Sequence, residues 1–371
     1  MRYVDEYRDP AVVARLVASV RETCTRTWTI MEVCGGQTHG IVRAGLDTLL
    51  EGKVELVHGP GCPVCVTPLE LIDKAHALAL RPGVVLATYG DMLRVPGSRG
   101  DLLSARAQGA QVRVVYAPLD ALRLARERPG EQVVFFGVGF ETTAPATAMA
   151  VQQAKRLGVL NFSVLSAHVV VPPAIEAVLS RPGNRVRGFL GPGHVCTVVG
   201  LEECRALVAK HRVPIVVSGF EPVDLLEGIL AVVRQLEAGQ AVAENRYARV
   251  VRDEGNPGLR ALLARTFVPV DRPWRGIGVI PGGGLRLADD LAAHDAERRF
   301  DVAAIEARES EVCIAGQVLS GEKRPADCPA FGSACRPEHP LGATMVSSEG
   351  ACAAYFTSGR HLPRAVAAGA P

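Results

Sequence analysis

Short β-branched runs alternate with helical patterns through the first two thirds of the chain, and that order admits few folds. TWTIMEV (27–33), VELVHG (54–59), VVLATYG (84–90) and VRVVYA (112–117) read as buried strands. TPLELIDKAHALAL (67–80) and SRGDLLSARAQG (98–109) between them carry helical spacing. The pattern restarts with EQVVFFGVGF (131–140), FSVLSAH (162–168), VRGFLG (186–191) and PIVVSGF (214–220). Strands that are apolar throughout and separated by helices predict an α/β fold, with parallel sheets covered by helices on both faces.

Related features recur at a nearly fixed offset. His39 stands 129 residues before His168, Gly59-Pro60-Gly61 stands 132 before Gly191-Pro192-Gly193, and Gly90 stands 129 before Gly219. A repeat at domain scale follows. The predicted architecture is two similar Rossmann-like, parallel-sheet α/β domains (1–127 and 128–265) and a small, mainly helical C-terminal domain (266–371). In that last part WRGIGVIPGGGLRL is glycine-rich, DAERRFDVAAIEARESEVC reads as a charged helix, and GRHLPRAVAAGAP reads as a disordered tail. So short a domain, broken by Pro and Gly, needs a staple to fold.

The 371 residues, 48% apolar, suffice for several cores. The 41 basic and 39 acidic side chains nearly cancel. No global field points to nucleic acid or an acidic membrane surface. The opening MRYVDEYRDPAVVARLVASV carries charges through its first nine residues and reads as a soluble helix, and no later stretch reaches the length of a membrane span. A cytoplasmic chain, monomeric in isolation, is expected. Its ten cysteines then read as metal ligands, redox thiols or core.

Four cysteines, Cys313, Cys328, Cys335 and Cys352, are spaced by gaps of 14, 6 and 16 residues, with DCPAFGSAC making a tight loop. They suit a closed four-thiolate site, and the spacing alone does not choose between a [4Fe-4S] cluster and zinc. HGPGCPVCVTP (58–68) holds Cys62 and Cys65 as a CxxC between a strand and a helix. A helix start there lowers thiol pKa and favours a reversible dithiol. Cys34, in MEVCGGQTHG, sits in the same kind of place: Gly35 and Gly36 loosen the turn, and a helix is expected from about Thr38 or His39. Such a thiolate attacks an electrophile or binds a soft metal. Cys24 and Cys204 read as helix core residues.

Polar clusters mark other strand ends: Asp91 and Arg94, Glu141 with Thr142 and Thr143, His194, and Glu221 with Asp224. Each also suits a helix cap. Together they lie where open parallel sheets bind ligands, which predicts a cleft between the halves. IPGGGLR lacks the Walker lysine and GVGFET lacks a third glycine, so no tightly bound nucleotide is expected.

As an ordered set, MEVCGGQTH, HGPGCPVCVTP, TYGDMLRVPGS, FFGVGFETTAP, GFLGPGHVC, SGFEPVDLL and CPAFGSACRPEHPLGATMVSSEGACAAYF resemble the HypD family of hydrogenase maturation proteins, over residues 31–356. The resemblance implies a [4Fe-4S] cluster on Cys313, Cys328, Cys335 and Cys352, and the Fe(CN)2CO iron of [NiFe] hydrogenases held transiently by Cys34. It implies a redox relay at Cys62 and Cys65, a HypC-like small chaperone sharing the iron, and a HypE-like cyanide donor. Asp91, Glu141 and Glu349 are then candidates for handling protons, with His39 beside the iron. Some members have histidine where this chain has Gln37, which leaves His39 the only imidazole in the turn. The competing readings are a stand-alone iron–sulfur thiol-disulfide oxidoreductase and a zinc-stapled binding protein.

Overall fold

The computed structural model describes residues 5–302, 307 and 309–360. Eight strands stand where the sequence predicts them: β1 (Trp28–Glu32), β2 (Val54–His58), β3 (Val84–Thr88), β4 (Gln111–Val114), β5 (Gln132–Gly139), β6 (Phe162–His168), β7 (Gly188–Pro192) and β8 (Ile215–Ser218). A short ninth strand, β9 (Ala243–Asn245), completes one sheet. Pairing within the two main sheets is parallel throughout.

Alternate residues of each strand face opposite helical layers. In the first sheet Ile30, Leu56, Leu190 and Val216 pack with Leu226, Ile229 and Val233 of helix Pro222–Glu237, while Met31, Val57, Phe189 and Val217 pack with Ile175 and Leu207. In the second, Val85, Val133 and Phe135 face Leu122 and Val151, and Leu86, Val134 and Phe136 face Ile72 and Leu78. Burial on both faces is why these strands read as unbroken apolar runs.

The strand pairing divides the chain differently from the sequential split at 127/128. The first sheet has the order β2-β1-β7-β8-β9 and the second β4-β3-β5-β6. The second unit is thus inserted into the first. The offset repeat compares motifs at strand ends, and any β-loop-α unit has those; partner choice depends on the crossover. Gly59 and Gly191, matched by the offset, end strands of the same sheet.

Residues 266–371 are not mainly helical from their start. Phe267–Trp274 (β10) and Gly278–Leu287 (β11) form an antiparallel hairpin, and Gly284 bridges to Val169 next to β6. The glycine-rich stretch is therefore largely strand: Trp274 is buried, stacks on Phe140 and donates Nε1–H to the Gly283 carbonyl at 3.0 Å. Short helical turns follow, from Asp289–His294 to Ala351–Thr357. Of the expected charged helix only Ala296–Arg299 is helical among the described residues; 303–306 and 308 lie outside them, as does 361–371 of the expected tail.

Candidate functional site

Cys34 lies just past the carboxyl end of β1, whose neighbours are β2 on one side and β7 on the other. The chain leaves β1 toward one edge and later returns to fill the other, so this is the point where strand order reverses and open parallel sheets leave a crevice. Cys34 is the N-cap of helix Gly35–Arg43, which begins earlier than the sequence suggests. Gly35 and Gly36 are its first residues, and neither has positive φ. They are needed for close approach: a Cβ on Gly35 would stand 2.6 Å from Glu349 Cβ, and one on Gly36 would stand 3.0 Å from the Phe220 ring.

Burial outweighs the helix terminus in setting thiol ionisation. Desolvation pushes Cys34 up to about 12, against backbone N–H groups of Gln37 and Gly36 that lower it and carboxylates of Glu349 and Glu32 that raise it further. Cys65 is likewise raised, first by burial and then by Cys62. The expected depression of these two thiols is overturned. In the one-turn helix Pro63–Val66, Cys62 Sγ accepts from Cys65 N–H at 3.4 Å and from the Cys65 thiol at 2.7 Å.

The predicted residues do converge. Glu349 covers Gly35, and its acidity is weakened by burial and then by Asp91, with His39 opposing. Cys65 feels both Glu349 and Cys352. Cys34, the Cys62–Cys65 pair, Glu349, Asp91 and His39 therefore form one neighbourhood. Asp91 also lines a crevice of about 700 Å³ at the carboxyl ends of the second sheet, beside Pro63 and Val64. Glu141 sits apart. Its Oε1 accepts from Val171 N–H at 2.9 Å, its Oε2 has no partner among the described residues, and Cys196 lies within electrostatic reach of both Glu141 and Cys34.

Cys313, Cys328, Cys335 and Cys352 all line one small apolar pocket. Cys352 Sγ accepts from Thr344 Oγ1–H at 3.2 Å and Cys335 Sγ from Leu341 N–H at 3.4 Å. Four convergent soft donors fit a thiolate-bound metal centre. The enclosed space is about 20 Å³, room for about one water. Among the described residues no three His, Cys, Asp or Glu are arranged around a single ion.

Cys204 is a buried helix residue, as the sequence suggests, and several neighbours make contacts that the sequence does not assign. Gln37 points away from Cys34: its Nε2 donates to the Gly191 carbonyl at 3.0 Å and to Ser218 Oγ at 3.1 Å, tying the helix to β7 and β8. His194 stacks on Phe220, the ring that covers Gly36, at 3.9 Å between centroids. Cys196 and Cys204 are neighbours in the core, each shifting the other's ionisation. Beneath Cys34 the buried Glu32 carboxylate meets Cys34 N–H, Thr38 and His58. Glu32 and His58 end apolar strands, so nothing in their local pattern distinguishes them from strand termini.

No described helix is long and apolar enough to cross a membrane. A family model described as "HypD: Hydrogenase formation hypA family" matches residues 11–359. The chain is 48% identical to "Hydrogenase maturation factor HypD" of Rhodobacter capsulatus, over 97% of this chain and 98% of that one. It is 48% identical to the Azotobacter vinelandii protein of the same name, over 99% of each, and 46% identical to that of Escherichia coli (strain K12), over 96% of this chain and 98% of the other.

Proposed function

Because the chain belongs to the HypD family and so acts in hydrogenase maturation, we propose that it is an assembly scaffold with a redox function, on which Cys34 holds the Fe(CN)2CO iron as cargo. The observation that carries this reading is the position of Cys34 at the strand-order reversal of the first sheet, within one neighbourhood with a dithiol, Glu349 and His39.

A soft ferrous ion with strong-field ligands favours thiolate donors and a site closed to water and oxygen. Burial keeps Cys34 a thiol in the metal-free chain, and a bound cation offsets that desolvation. Glu349 overlies the turn and is itself shifted toward the protonated form, which suits it to take the proton that Cys34 releases. Cys62 and Cys65 supply the two-electron chemistry: closing a disulfide between them releases two electrons and two protons, and reopening it takes both back. A [4Fe-4S] cluster on Cys313, Cys328, Cys335 and Cys352, when bound, supplies one-electron transfer. Partners are a HypC-like chaperone that shares the iron and a HypE-like cyanide donor, in a cytoplasm reducing enough to keep all ten cysteines free, as they are here.

A stand-alone oxidoreductase is the weaker reading, since Cys62 and Cys65 are 3% and 2% exposed, too little for direct attack on a protein disulfide. Anaerobic purification followed by infrared spectroscopy decides the matter. CO and cyanide stretches present in the wild type and absent in Cys34→Ala are expected. A brown preparation without such bands, together with turnover of disulfides in the absence of partners, reverses the ranking.

A further inference from the structure

A continuous buried hydrogen-bond chain joins the last helix to the Cys34 turn. Tyr355 O–H meets His58 Nε2 at 3.1 Å, and His58 Nδ1 meets Glu32 Oε1 at 2.6 Å. That same oxygen accepts from Thr38 Oγ1–H at 2.6 Å, and Glu32 Oε2 accepts from Cys34 N–H at 3.1 Å. Glu32 and His58 are 0% and 4% exposed, so every polar atom in this chain depends on its neighbour rather than on water. With Glu32 ionised all links are satisfied in one direction: tyrosine donates to imidazole, and imidazole donates to carboxylate.

The helix at the far end is held firmly. Tyr355 stands edge-on to the His58 ring at 5.3 Å, Arg360 lies over Tyr355, and the Arg360 guanidinium pairs with Asp47 and reaches the Val42 carbonyl. Tyr355 and Ala354 pack on Val42 of the Cys34 helix. The same seven-residue helix, Ala351–Thr357, carries Cys352 of the four-cysteine pocket.

We propose that Tyr355, His58 and Glu32 are positioning residues that act as a strut, fixing the backbone of Cys34 according to where the helix bearing Cys352 sits. The strut links the four-cysteine pocket mechanically to the Cys34 turn. Its importance for maturation rests on the reading of Cys34 as the iron-holding sulfur; its existence does not.

Amide hydrogen exchange of the metal-free full chain, resolved at Cys34 and Gly35, tests the strut. Gly35 N–H donates to the Gly61 carbonyl and lies outside the strut, so it serves as the internal control. Tyr355→Phe, which keeps the ring, should speed exchange at Cys34 about two- to tenfold, the range one hydrogen bond spans, with Gly35 unchanged. His58→Gln should do at least as much. The double variant should add nothing beyond His58→Gln, because one chain is being cut twice. Unchanged exchange at Cys34 in both single variants, additive effects, or a parallel rise at Gly35 would each overturn the proposal. Loss of iron binding as a test of Cys34 is a separate experiment, so either idea can fail alone.

Discussion

Gly61 and Cys34 are locked backbone to backbone. The Gly61 carbonyl accepts from Gly35 N–H at 2.7 Å, and a Cβ built on Gly61 would fall 2.1 Å from the Cys34 nitrogen. The two cysteine motifs are therefore halves of one structure: the GPGC loop forms the wall against which the Cys34 turn is cast. A change in the Cys62–Cys65 pair, one residue further on, has a short path to Cys34.

Gly61→Ala should accordingly be among the most damaging single-methyl changes in the chain. Nothing near it is a flexible side-chain end that can yield, so backbone must shift, at about 1–3 kcal/mol or more. The urea midpoint should fall and iron should be lost together. A stable variant with full iron content would show that the turn tolerates displacement.

Mild oxidation should join Cys62 to Cys65 before any other pair. Their sulfurs are 2.7 Å apart within one helical turn, whereas Cys34 lies across the Gly61 wall. Peptide mapping after diamide should find the Cys62–Cys65 disulfide and a loss of two of the ten free thiols, with Cys62→Ser abolishing it. A first disulfide involving Cys34 instead would mean that the turn opens more easily than its packing implies.

Most of the main strands were legible because burial on both faces leaves an apolar run, as in Val84–Thr88; the exception is the edge strand β4, QVRV, of which only Val112 is buried. Their division into two sheets was not: β1 pairs with β7 across more than 150 residues, and neither strand's composition names its partner. The cysteines were legible by type and spacing. The acidity of Cys34 and Cys65 was not legible because a helix start is visible in sequence, whereas the desolvation of the half-buried Cys34 and the buried Cys65 is not. Glu32, His58 and Tyr355 stayed hidden for the same reason, each sitting in an apolar segment whose polar tip has meaning only once three elements meet.

Glu141 should leave a signature in stability against pH. Burial raises its carboxyl from the ordinary 4.5 to about 8. Between those values the folded state holds a proton that the unfolded state has lost, so stability falls as pH rises through the window and levels off above about 8. At its steepest the contribution is about 1.4 kcal/mol per pH unit. Urea midpoints at several pH values should drop more steeply in wild type than in Glu141→Gln; parallel curves would mean that Glu141 is already ionised at neutral pH.

The four-cysteine lobe should depend on what its thiols bind. Its own core is small: Ala330, Cys335, Met345 and Ala353 are buried together, with Phe331, Leu341 and Phe356 partly covered. Burying a large apolar side chain contributes about 1.5–3 kcal/mol, and ordering each residue costs about 1–2 kcal/mol in backbone entropy alone. Outside that core Leu319 packs into the core of the first sheet and Ala343 and Val346 into that of the second, and Tyr355 and Arg360 anchor the last helix; these few anchors leave most of the roughly forty residues weakly held. If these thiols hold a metal as proposed, its chelation should strip hydrogen-exchange protection from the loops between Cys313 and Gly350 while β1–β8 stay protected. Cys335→Ser should reproduce the effect, and Cys24→Ser, in the core of the first sheet, should not. Equal protection of those loops in stripped and native protein would show that packing alone holds the lobe, and the four thiols would then need another explanation.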